Sequence, residues 1–372
     1  MIQFFKDLIN GFKKSSVTRK IFYSSLILIY FILIALLTIK VNVEIITPGG
    51  INANIGTNEY NIASPNVFVD TDYNPGNIFT VGVHSRKRIS LYQYLISKMN
   101  DDIAFEDYDP KTSLSKEEDL ILGKKSKDVS IINALIVAYE EAKKVDDNIN
   151  IDYEFEGVLV SYVFNKDSKL EPDDIITHLN DQKIEPDTFR TEIGKINNDE
   201  NIKLTVKRYD SVAKMDVVKE ITTKKYFDEA ANQYLLGIST MDSYIIDEET
   251  AFPEFTIHKN YSSIGGSGGA MQALAIYNSI LEVDITNGKT IIGTGTVSVE
   301  TYNPELVFGQ IGDIGGVSQK IVTANLYNAD IFFVNPEDAE EAKQKAKEID
   351  AKFEVVEVKT FAEIVSHLKG EN

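Results

Sequence analysis

A chain of 372 residues with no cysteine excludes disulfides, thiolate catalysis and cysteine-based zinc sites, and its length exceeds what one core ordinarily holds, so two or three domains are expected. Hydrophobic residues make up 43% and aromatics 10%, which describes a globular protein and not a disordered one. Lys6, Lys13, Lys14, Arg19 and Lys20 against Asp7 give the first twenty residues +4 and Lys40 adds one more, so a net −19 leaves −24 on residues 41–372; so acidic a body lacks the basic footprint of a nucleic-acid binder and reads as a soluble, self-repelling surface.

Residues 21–39, IFYSSLILIYFILIALLTI, are 19 in a row without a charge. At about 1.5 Å of rise each they cross a roughly 30 Å hydrocarbon layer. Arg19 and Lys20 stop the run on one side and Lys40 on the other. The denser basic flank is N-terminal, so residues 1–20 are expected in the cytoplasm and the remainder outside, at the cell membrane. A cleaved signal peptide is the competing reading. Its apolar stretch would be shorter, about 7–15 residues, and would end in small residues; here TIKVNVEI follows, which favours a retained single-pass anchor.

From Val41 to about Phe105 the runs VNVEIITPGG, NVFVDTD and NIFTVGVHS predict short strands punctuated by Pro, Gly and Asn, and SLYQYLISKM predicts a helix. Glu106 to Lys127 reads as polar loop with a short helix. Val129–Val145 carries an apolar stripe at helical spacing, with Lys143 and Lys144 suited to its C-terminal end.

Residues 148–225 read as a second unit. GVLVSYV is a buried strand, LEPDDIITHLNDQKI is strand, turn and strand, DTFRTEIGKI opens on Asp187 as an expected N-cap, and IKLTVKR alternates as a strand. This order resembles a PDZ domain, whose L-x-x-G-D-x-I stretch is matched by Leu170, Asp174 and Ile176 and whose N-G turn is matched by Asn180. Asp173 and Asp181 stand where that pattern has glycines, and residues 166–169 replace its Ser-Pro-Ala step. The resemblance implies a peptide groove between the strand near Gly157 and the helix carrying Phe189 and Ile193. For those two side chains an ordinary core role is equally open.

IGGSGGAMQALAIYNSI, residues 264–280, surrounds Ser267 with glycines and passes directly into an apolar helix. A glycine turn lets a substrate backbone approach closely, and free N–H groups at a helix start can hold an oxyanion. The same physics suits a phosphate cradle, but a P-loop needs G-K-[ST] where Ala270, Met271 and Gln272 stand. A purely structural turn remains open at this stage.

Downstream, KTIIGTGTVSVE and FGQIGDIGGVSQKIVTANLYNADIFFVN make the region resemble the proteolytic domain of Lon-type serine peptidases. On that resemblance Ser267 matches the nucleophile of a G-P-S-A-G stretch. Ile314-Gly315-Gly316 matches the turn before the catalytic lysine, Lys320 the general base, Gly293-Thr294-Gly295-Thr296 a supporting strand and Val334-Asn335-Pro336 the end of the next strand. Gly266 and Gly268 take the places of the proline and alanine beside the serine and are the expected oxyanion or supporting positions with Thr294. YNPELVF, residues 302–308, reads as extra loop. The full layout resembles the membrane-anchored PDZ/Lon peptidases of Gram-positive bacteria, including the SepM-like pheromone-processing group.

The expected fold class is therefore α+β multidomain. Residues 1–20 form a cytoplasmic tail, 21–39 a transmembrane helix, 40–147 a β-rich N-terminal ectodomain with helix, 148–225 a PDZ-like domain and 226–372 a Lon-type proteolytic domain. The expected activity is ATP-independent serine endopeptidase, using a Ser267–Lys320 dyad on peptide or protein substrates, since no P-loop is present. Lysine serves as a base only when neutral, so burial must lower its ordinary pKa of about 10.4 by several units. Two rivals stand beside it. Gly265-Gly266-Ser267-Gly268-Gly269 also fits G-x-S-x-G, so an α/β-hydrolase esterase using His367 is one, although FAEIVSHLKGEN reads as a terminal helix with a solvent-facing histidine. A catalytically inactive membrane scaffold is the other. His84, His178 and His258 are scattered, so no metal and no cofactor are expected.

Overall fold

A computed structural model describes residues 6, 10–52, 62–64, 66–71, 77–110, 113–165, 167–229, 231–259, 263–299 and 307–370. Lys166, residues 302–306 of the expected extra loop and most of the first nine residues lie outside these. The protein is mixed α/β, with one N-terminal apolar helix and a β-rich body.

Helix α1, Val17–Thr38, starts at Ser16, whose hydroxyl accepts from the Arg19 N–H, and none of its residues is buried. A length of 22 residues with apolar side chains on every face fits a membrane anchor or a signal sequence. Strand β1 (Val43–Asn52) follows, then β2 (Ile62–Ser64), β3 (Val67–Val69) and β4 (Ile78–Lys87). Helix α2, Leu91–Ser97, is opened by a capping box of Ser90 and Gln93, and β5 is Ala104–Asp107. Helix α3 runs from Lys116 to Lys143, much longer than the expected Val129–Val145, and replaces most of the expected polar loop. The cause is a second capping box, Ser115 with Glu118, backed by Glu117 and Asp119 in a first turn that favours negative charge.

The chain continues through β6 (Asn150–Val163), β7 (Ile175–Leu179), β8 (Gln182–Lys183), α4 (Phe189–Lys195), β9 (Ile202–Asp210), β10 (Met215–Thr223), β11 (Tyr226–Asp228), β12 (Gln233–Leu235), β13 (Ile238–Phe252) and β14 (Phe255–Ile257). Asp187 is not the cap of α4. That position belongs to Thr188, which makes no side-chain capping bond, because Asp187 itself sits in the left-handed region at φ 57°. The last part holds α5 (Gly269–Ile280), β15 (Ile291–Gly293), β16 (Thr296–Val297), β17 (Ile311–Gly312), α6 (Val317–Leu326), β18 (Ile331–Val334), α7 (Pro336–Glu348), β19 (Glu354–Glu357) and α8 (Phe361–Lys369).

Two compact units divide the chain, Met1–Thr47 with Ser85–Ser113, and Pro48–His84 with Leu114–Asn372. The stretch 40–147, expected as a domain of its own, is therefore shared between them. In the smaller unit Val43–Ile46 of β1 pair antiparallel with β5, and the Lys98 amine lies 4.0 Å from the centre of the Phe105 ring. In the larger unit β4, β15, β18 and β19 run parallel side by side, with β15 between β4 and β18. A parallel strand drawn from residues 78–80 into a sheet otherwise built after residue 290 is why that early segment does not stand alone. Helix α5 is buried at every position, packed among Ile131, Leu135, Ile291 and Phe333, and the Tyr277 and Phe361 rings meet edge to face at 5.9 Å.

The larger unit also holds a mostly antiparallel sheet in the order β10-β9-β7-β6-β13. Its core gathers Leu170, Ile176, Phe189 and Leu204. Asp174 is fully buried and takes two hydrogen bonds from Arg208, 2.6 Å from Nε and 2.7 Å from Nη2, while also accepting from the Glu171 N–H. Asp173 and Asp181, which stand where glycines were expected, both have positive φ, 76° and 63°. Aspartate tolerates that conformation better than most residues, so the turns survive the change.

Candidate active site

Ser267 lies in the two-residue turn just before α5. Three contacts from α3 fix the segment that precedes it. The Gly265 N–H donates to the Gly123 carbonyl at 2.8 Å, Ser130 Oγ donates to the Gly266 carbonyl at 3.1 Å, and Ile264 packs on Gly123. After the serine, the Gly269 N–H donates to Gly266 and the Ala270 N–H to Gly295. Among the described residues the N–H groups of Ser267 and Gly268 donate to no backbone carbonyl, which leaves two donors available at the start of a buried helix.

Gly268 has a specific reason to lack a side chain. A Cβ there would sit 3.0 Å from Thr80 Cγ2 and 3.2 Å from Gln272 Nε2, whereas one at Gly266 meets only ordinary contacts of 3.4 Å or more. Thr80 Oγ1 and both amide atoms of Gln272 are buried without a hydrogen-bond partner among the described residues. The space beneath the serine turn is thus filled by two polar side chains that no sequence pattern singled out.

Lys320 is carried by α6, which begins at Gly316 with φ 69°. The turn ahead of it is held by Asp338, whose carboxylate accepts from the Ile314 N–H at 3.0 Å. Asp338 is in the first turn of α7, a helix capped by Asn335 and started by Pro336. Lys320 is 2% exposed and its amine donates to Thr294 Oγ1 at 3.0 Å. The Thr294 hydroxyl in turn donates to the Ser267 carbonyl at 3.0 Å, and the Gly295 N–H reaches the same oxygen at 2.8 Å. Thr294 therefore links the lysine to the serine turn. Ser267 Oγ makes no hydrogen bond among the described residues.

Burial lowers the Lys320 amine to about 8, with the nearby Asp338 charge pulling slightly the other way. Asp338 is itself pushed up, chiefly by burial. A second lysine absent from the sequence expectation behaves alike. Lys127 is 2% exposed on α3, one turn after Gly123 and one before Ser130, and burial lowers it to about 8.

The strand edge of the expected peptide groove is occupied. Gly157 lies in β6, and β13 pairs with β6 from Ile238 opposite Val163 to Asp247 opposite Asp152, so the edge that a peptide would join is taken by the chain itself. Gly157 is glycine because a Cβ would come within 2.6 Å of the Ile176 carbonyl on β7. Phe189 is buried in the sheet's core and Ile193 packs against it. His367 is half-buried and not solvent-facing, as its ring meets Phe333 edge to face at 5.6 Å and its Nε2 stands 3.9 Å from Glu354. No hydrogen bond joins it to Ser267 among the described residues. The chain matches no family model, and no curated protein matches it.

Proposed function

We propose that this chain is a membrane-anchored, ATP-independent serine endopeptidase of the Lon type, with Ser267 as nucleophile and Lys320 as general base. The carrying observation is the buried Lys320 amine, held near neutrality by desolvation and joined through Thr294 to the turn that presents Ser267. Neutral Lys320 takes the hydroxyl proton as Ser267 Oγ attacks the scissile carbonyl. The oxyanion is received by the Ser267 and Gly268 N–H groups, and the lysine returns its proton to the leaving amine. Water then attacks the acyl-serine with the same lysine as base.

The sheet of residues 148–225 serves as a PDZ-like positioning element in this reading. With β6 paired on both sides, the outer strands of the sheet are β10 and β13, and an extended peptide would add at β13, the one next to β6. Helix α1 anchors the body outside the membrane, and protease added to intact spheroplasts should digest it; full protection would reverse the orientation. Activity is tested by treating the full chain with a fluorophosphonate probe and locating the adduct by mass spectrometry. Labelling at Ser267 supports the proposal and an unlabelled Ser267 in folded protein contradicts it.

A further inference from the structure

A cavity of about 480 Å³ opens beside the serine turn. Gly266 and the segment Thr296–Val299 form one wall, Ser130 and Asn133 of α3 a second, and Phe189 with Thr240–Asp242 and Tyr244 of β13 the far end. Its volume lies in the range of small-molecule and side-chain pockets, and Gly266 is the residue next to the nucleophile. Substrate bound at Ser267 therefore has this space within reach.

Among the polar side chains that line the cavity, Asp242 carries an acceptor-only carboxylate. Asp242 accepts one hydrogen bond, from the Asp187 N–H at 2.7 Å, and no lysine or arginine among the described residues forms an ion pair with it. Burial pushes its carboxyl up to about 6, as expected of a desolvated carboxylate without a counter-ion. Asn133 spends its amide Nδ2 on the Val297 carbonyl at 3.0 Å, which fixes the orientation of the group and leaves Oδ1 buried with no partner. Arg190 also lines the cavity but is exposed and does not pair with Asp242. A half-buried carboxylate that takes one hydrogen bond and has no cationic partner among the described residues is complementary to a group that has donors only. Lysine and arginine heads are of that kind, and their aliphatic stems suit walls formed by Phe189, Val129 and Val299.

We propose that this cavity is the specificity pocket of the peptidase and takes a lysine or arginine side chain of the substrate, within a few residues of the scissile bond, whose head pairs with Asp242. The substrate class is then a basic peptide, drawn also by the net negative body. The proposal rests on the peptidase reading for its place in catalysis, but its binding chemistry can be measured apart from turnover.

The test uses the full chain in lipid nanodiscs with Ser267→Ala, and fluorescent nonapeptides identical except for one central residue, lysine, arginine, norleucine or glutamate. Fluorescence anisotropy should give the lysine and arginine peptides at least tenfold tighter binding than the norleucine peptide, with glutamate weakest. Asp242→Asn should reduce that preference about tenfold, and a circular-dichroism spectrum matching that of the parent shows that the variant folds. Equal binding of the four peptides, or a preference that survives Asp242→Asn, overturns the proposal. Tight basic-peptide binding with no label on Ser267 would instead uphold the pocket and refute the peptidase reading.

Discussion

The amine of Lys320 sits 3.0 Å from the hydroxyl of Thr294, and that hydroxyl spends its proton on the carbonyl of Ser267. Thr294 is thus committed as an acceptor toward the lysine and as a donor toward the Ser267 backbone. Thr294→Val keeps the shape and removes both bonds. It should lower the acylation rate roughly 10- to 100-fold, the equivalent of one or two hydrogen bonds at about 1–3 kcal/mol. Thr294→Ser should retain most of the rate. Single-turnover acylation measured on both variants checks this; a fully active valine variant would remove Thr294 from the site.

With Lys320 held near 8, the acylation rate should climb with pH and level off above that value, since only the neutral amine accepts the proton. Asp338 favours the charged amine. Asp338→Asn should therefore move the midpoint to lower pH while its amide oxygen still accepts from the Ile314 N–H. A midpoint that shifts upward, or that stays fixed, contradicts this role for Asp338.

Lys127 supplies a stability test independent of activity. Its folded pKa of about 8 lies below the unfolded value near 10.5, so the unfolded chain binds more protons between those limits and stability rises with pH across that window. Below pH 8 the buried amine costs roughly 3 kcal/mol. Lys127→Met should raise stability in urea melts at pH 7 by about 1–3 kcal/mol, and the gain should shrink by pH 9.5. A loss of stability at pH 7 would mean that the amine has a stabilising partner.

Gly268 and Thr80 should behave as a coupled pair. Gly268→Ala places a methyl 3.0 Å from Thr80 Cγ2 and should cost about 1–3 kcal/mol of stability by overpacking. Adding Thr80→Ala should recover most of it. Thermal or urea unfolding of the two single variants and the double variant gives the coupling directly; additive losses would show that the contact is not the cause.

Much of this arrangement was legible in the sequence because it is local. The charge-free run that becomes α1, the glycines around Ser267, and the Gly-Gly turn before Lys320 each declare themselves within about twenty residues. The longer reach of α3 was legible too, in the Ser115–Glu118 capping box, but the acidic composition of the segment masked it. What the sequence hid is pairing at long range. Nothing local in residues 78–80 says that they run parallel beside Ile291–Gly293, and nothing in Gly157 says that Ser243, more than eighty residues on, takes its edge. The same holds for Asp242 and Asn133, ordinary polar residues until folding brings them to one cavity.

The central claim is that Lys320, and no histidine, activates Ser267. It is tested most directly by the rate of fluorophosphonate acylation of the full chain and of Ser267→Ala, Lys320→Met, Lys320→Arg and His367→Ala. The account predicts a labelled wild-type serine, no label on Ser267→Ala and losses of several orders of magnitude for both lysine variants, because guanidinium stays charged and cannot accept the proton. His367→Ala should label at close to the wild-type rate. Substantial labelling of Lys320→Arg together with its abolition in His367→Ala would contradict the account and return the serine to a hydrolase that relies on His367.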